Sequence, residues 1–155
     1  MFRYYLLYIC ENKKLTNMAI PTKTTALKAI QTYADIYNSI PTLIDESLQP
    51  LSFWANELGL SNSAVSNKKN GRRDWKASEI KIILKALKKD ITIVDNYINV
   101  LDSIDTMIAE KGYKKLFFYN RAGLNNIQIY TRQASKNKDY NSWQIEEIQK
   151  LVDAL

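Results

Sequence analysis

From residue 21 onward, apolar residues recur every three or four positions, and no alternating apolar–polar run follows residue 20. That period predicts helices and no sheet, an all-α chain. The first helix is expected over 26–37, with Ile30, Tyr33 and Tyr37 on one stripe, and its counterpart over 90–101 carries Val94, Tyr97 and Leu101. The next helices are expected to start at Ser39 and Ser103, residues suited to capping. Pro41 falls in the first turn, where its missing N–H costs nothing. Pro50 and Gly112 mark the ends. Short helices are then predicted over 51–58 and 115–122, followed by turns at Gly59 and Gly123 with positive φ. Ser61 and Asn125 cap the helices after those turns, and Asp74 and Ser142 are expected to cap a last helix in each half.

These halves are one unit written twice. Shifting the chain by 64 residues sets Tyr33 on Tyr97, Ser39-Ile40 on Ser103-Ile104, Phe53 on Phe117, Asn56 on Asn120, and Gly59-Leu60 on Gly123-Leu124. After a four-residue insertion, Trp75 meets Trp143 and Glu79-Ile80 meets Glu147-Ile148. Matches through polar and apolar positions alike are the mark of a tandem duplication. The expected organisation is two tandem five-helix units, 21–89 and 90–155, behind an N-terminal extension, 1–20. No Gly/Ser/Pro linker parts the units, so rigid packing is expected. The apolar run Tyr4 to Cys10 is too short to span a bilayer. It is read as a strap packed across the helices or a short strand, with a start at Met18 as the other option.

Composition narrows the chemistry. Cys10 is the only cysteine and there is no histidine, which removes a disulfide framework, a cysteine-based zinc site and the usual general base. The expectation is a cytoplasmic, non-enzymatic protein without cofactor or metal. The net charge of +6 fits an anionic partner, and its placement matters more than its size. From Ser61 to Lys89, nine basic residues (Lys68, Lys69, Arg72, Arg73, Lys76, Lys81, Lys85, Lys88, Lys89) face only Asp74 and Glu79. That stretch carries +7, leaving −1 for the rest of the chain.

Within it, Ala55, Leu58, Gly59, Leu60, Ser61 and Val65, followed by Asn70-Gly71-Arg72-Arg73, resemble the phage-repressor-like helix-turn-helix family over residues 40–87. The resemblance implies that the helix after Gly59 enters the major groove of double-stranded DNA. Asn62 and Ser63 would then read bases, with Asn67 one turn on, and Ser66 is a further candidate DNA contact. Asn70, the Gly71 N–H, Arg72 and Arg73 would hold phosphates, with help from Lys69, and the cap Ser61 is a further candidate DNA contact. Lys68 departs from the family's apolar residue, and its stem is expected to cover that spot with the ammonium outside. A regulator of transcription, of phage or mobile-element origin, is the implied role.

The second copy departs further. Tyr119 replaces the small Ala55 and Ala122 replaces Leu58, which implies either a compensating size swap or a changed crossing angle. From Asn125 to Leu155 its charges balance. Asn126, Arg132 and Lys136 are candidate DNA contacts there, while Ile127 and Tyr130 are equally candidates for a protein partner. The competing reading of the whole chain is a helical scaffold or protein-interaction module that uses the fold without DNA. Most of the aromatics, with Tyr33, Tyr97, Trp75, Trp143, Phe53 and Phe117 at matched positions, are expected in the core.

Overall fold

The computed structural model describes residues 19–129 and 143–155. All regular structure among them is helical: α1 (Lys23–Glu46), α2 (Leu51–Leu58), α3 (Asn62–Lys69), α4 (Ala77–Ala86), α5 (Thr92–Glu110), α6 (Lys115–Arg121) and α7 (Ile145–Ala154). Residues 126–129 form a further helical turn. None of these helices is long and apolar enough to cross a membrane. The expected strap or strand at 1–18 and the Ser142 cap lie outside the described residues.

The predicted break at Ser39 is absent. α1 runs straight through it, with Pro41 inside the helix, and Ser39 Oγ donates to the Ile36 carbonyl at 2.8 Å instead of capping a new helix. The reason lies in the phase of the stripe. Ala26, Ile30, Tyr33, Ile40 and Ile44 are all buried and follow one another at helical spacing on both sides of the proline. A continuous helix therefore sets both halves on the same core, which outweighs the roughly 3 kcal/mol that a mid-helix proline costs. α5 is likewise unbroken, with Ser103 buried inside it and Val94, Tyr97, Leu101, Ile104 and Ile108 on its inner face. The two expected opening helices of each copy are thus one long helix.

α1 packs along α5 and α7; α4 rests on α5 and α1; α6 rests on α5 and α7. The opening helix of each sequence copy therefore touches the closing helix of the other. At the centre, Tyr33 stacks on its own sequence counterpart, Tyr97, with centroids 3.8 Å apart and planes 3° apart. A residue in contact with its own equivalent is what a two-fold contact between like surfaces produces. Near the chain's outer limits, the Lys23 ammonium donates to the Asp153 carbonyl at 2.5 Å, tying the start of α1 to the end of α7.

α2 ends at Gly59 in the left-handed conformation, φ 63° and ψ 33°. The Leu60 N–H reaches the Ala55 carbonyl at 2.9 Å and the Gly59 N–H reaches Asn56 at 3.2 Å, the paired bonds of a Schellman stop. Gly123 repeats it, at φ 73°, with Leu124 bonded to Tyr119 and Gly123 to Asn120. A Cβ added at Gly59 would meet nothing within 4 Å, so the cost of a side chain there is conformational alone. We expect Gly59→Ala to lose about 1 kcal/mol in urea unfolding, and Gly59→Asn less, because asparagine tolerates this region. Equal losses for the two variants would contradict that account.

Candidate nucleic-acid interface

α3 is short, and the residues around it explain why it holds. The Ser61 hydroxyl accepts from the Ala64 N–H at 3.1 Å, so the expected cap is present. Val65, fully buried, ties α3 to the core, and α2 packs directly on α3. At 100° per residue, Asn62, Ser63, Ser66, Asn67 and Asn70 span an arc of about 140° opposite Val65 and Lys68. Asn62, Ser63 and Asn70 are exposed, and Ser66 and Asn67 half-buried. The side of α3 turned from the core is thus lined by short amide and hydroxyl side chains, groups that can donate and accept at base edges.

The loop after α3 differs from expectation in one respect. Gly71 takes a positive φ of 70°; its N–H donates to the Lys68 carbonyl at 3.0 Å and the Arg72 N–H to Asn67 at 2.8 Å. The Gly71 N–H is therefore spent on closing α3 and is withdrawn from the phosphate-binding set. Asn70 places its amide 3.4 Å from Ser66 Oγ. Arg72 and Arg73 are exposed.

Lys68 corrects a second expectation. Its ammonium is not outside: the residue is 8% exposed, with Nζ 3.0 Å from Glu79 Oε2 and 2.5 Å from the Asp74 carbonyl, and 5.8 Å from the Trp75 ring centroid. Burial demands that the charge be matched, and Glu79 matches it. Asp74 in turn does not cap α4. Its carboxylate accepts from the Tyr37 hydroxyl at 3.3 Å, while α4 is capped two residues later, with the Lys76 N–H donating to Glu79 Oε2 at 2.7 Å. The same device opens α7, where the Gln144 N–H donates to Glu147 at 3.0 Å.

Pairing thins the basic stretch. Besides Lys68, Lys69 is bound to Asp45 and Lys81 to Asp95 at 2.6 Å. Lys69, a predicted phosphate contact, would have to leave Asp45 to serve as one. Exposed Arg72 and Arg73 beside α3, and Lys85, Lys88 and Lys89 at the end of α4, lie outside these pairs.

In the second copy, Asn125 and Gln128 cap each other, N–H to side-chain oxygen, at 2.8 and 3.0 Å. Asn126 is exposed, and Ile127 is 79% exposed. Arg132, Lys136 and Tyr130 lie outside the described residues. Tyr119 and Ala122 are both buried, and Tyr119 stacks on Trp143 with centroids 6.1 Å apart. The large residue at 119 is thus accommodated in the core beside the small one at 122. Among the described aromatics, Tyr33, Trp54, Trp75, Tyr97, Phe118 and Tyr119 are buried, but Phe117, expected in the core, is 46% exposed; Tyr113 is 63% and the neighbouring Leu116 53% exposed, and Tyr113 stacks on Phe117 at 5.1 Å.

Sequence reasoning passed over the Lys68–Glu79 pair. One signal was available: Glu79 interrupts an otherwise apolar inner face, and Glu147 repeats it. Set against known proteins, the chain matches no family model, no curated protein sequence and no solved structure.

Proposed function

We propose that the chain is a non-enzymatic, sequence-specific binder of double-stranded DNA, a transcriptional regulator in which α2 and α3 act as a helix-turn-helix and α3 enters the major groove. One observation carries this reading: the outward arc of α3 is made of Asn62, Ser63, Ser66 and Asn67, and two exposed arginines follow it directly. Amides and hydroxyls read base edges, while Arg72 and Arg73 fix register on phosphates. The contact of Tyr33 with Tyr97 supports a further point, that the two copies stand in one chain as the two subunits of a dimer do.

The test is a fluorescence titration with duplex DNA at several salt concentrations. Arg72→Ala with Arg73→Ala should weaken binding to every sequence by roughly 10–100-fold near 0.1 M salt and lower the salt slope by about 2. Asn62→Ala should instead reduce discrimination at one base pair by about 1–3 kcal/mol. Binding that is absent, or indifferent to salt, would overturn the reading.

A scaffold or protein-interaction role is the second reading. Exposed Tyr113, Leu116, Phe117 and Ile127 favour it, because apolar side chains of this size left in water in the second copy suit a protein partner.

A further inference from the structure

A cavity of about 240 Å³ opens where the two sequence copies meet. Its wall contains the stacked pair Tyr33 and Tyr97, then Tyr37, and then both members of the matched tryptophan pair, Trp75 and Trp143. Two carboxylates also line it, Asp74 from the loop before α4 and Glu146 from the first turn of α7. Among the described residues, no lysine or arginine does. In a chain of net charge +6, this is a pocket of the opposite character.

We propose that this cavity is a binding site for a small organic cation of the quaternary-ammonium type. Aromatic faces attract cations through their quadrupole, and they do so best where water is excluded and an anion stands near. The volume falls below the roughly 300–1,000 Å³ of sites for drug-sized ligands, so the ligand is small. Trp75 already faces the Lys68 ammonium at 5.8 Å. The rings left for a ligand are therefore those of Tyr37 and Trp143, both half-buried, with Trp143 backed by Tyr119. The N-terminus of α7 also reaches the cavity and brings about half a positive charge. Glu146 and Glu147 in that first turn carry two full negative charges, and the Gln144 N–H is already bound to Glu147. The balance stays negative. Glu146 is exposed and Asp74 is held by the Tyr37 hydroxyl, so one carboxylate is free to adjust and the other is fixed.

This site does not depend on the DNA-binding reading. The probe is choline, compared with its neutral isostere 3,3-dimethylbutan-1-ol, in calorimetry and tryptophan-fluorescence titrations of the full chain. Choline should bind and the isostere should bind at least tenfold more weakly. Glu146→Gln, an exposed change that leaves folding intact by circular dichroism, should weaken choline about fivefold, and Asp74→Asn added to it should weaken it further. Equal binding of the two probes, no binding of choline, or unchanged affinity in Glu146→Gln would each overturn the proposal.

Discussion

Lys68→Ala is expected to cost about 3 kcal/mol of folding free energy, because it leaves the Glu79 carboxylate buried without its counter-charge. Both side chains are less than a tenth exposed, at 9% and 8%, so water cannot take over the lost partner. The loss also strips the Asp74 carbonyl of a donor and the Trp75 face of its cation. Removing both charges should cost much less than the sum of the single changes: in Lys68→Met with Glu79→Gln, the amide can still accept from the Lys76 N–H. Urea unfolding of the unaltered protein, Lys68→Met, Glu79→Gln and the double variant measures the coupling. A double variant that loses the full sum of the two single losses would mean the pair contributes nothing. The expected loss is one of stability, and circular dichroism at low temperature should still find a helical protein.

Tyr33→Ala should be as damaging, at about 4 kcal/mol, since it empties a ring-sized volume at the contact between α1 and α5. Its distinguishing sign is cooperativity. With the stack gone, thermal unfolding should broaden or divide into two transitions as the halves lose their shared centre; a single sharp transition would show that the other contacts suffice. The same rings carry a pH prediction. Burial, foremost, raises the Tyr33 and Tyr97 hydroxyls well above the ordinary tyrosine value near 10, and it raises Tyr37 in the same direction against the opposing Trp75 N–H. A group held protonated by the fold stabilises it fully below its unfolded pKa and loses that contribution as pH rises. Stability should therefore be level through neutrality and fall progressively above about pH 10. Tyr33→Phe should blunt that alkaline fall.

The helical period made the all-α character legible, because a stripe such as Ile80, Ile83 and Leu84 fits only one kind of element. Glycines marked the turns correctly, since Gly59 and Gly123 must both adopt a positive φ to end their helices. Ser39 misled because a good capping residue beside a proline is a local signal, and the packing of Ile40 and Ile44 overrode it. Lys68 misled for a related reason. Its partner, Glu79, is remote in sequence and reads as a helix-opening residue, a role it also plays. The candidate site was legible as a list of polar residues on α3. Which cations are already occupied depends on Asp45, Asp95 and Glu79, and that is a property of the fold.

The contact between α1 and α7 has a consequence for how the chain is made. On the ribosome, residues 23–46 emerge long before residues 145–154, so the part of α1 that α7 covers must wait for its partner even after α4 and α5 have been made. The nascent chain would pass that interval with greasy surface showing, and the finished shape could lock only after α7 has cleared the exit tunnel.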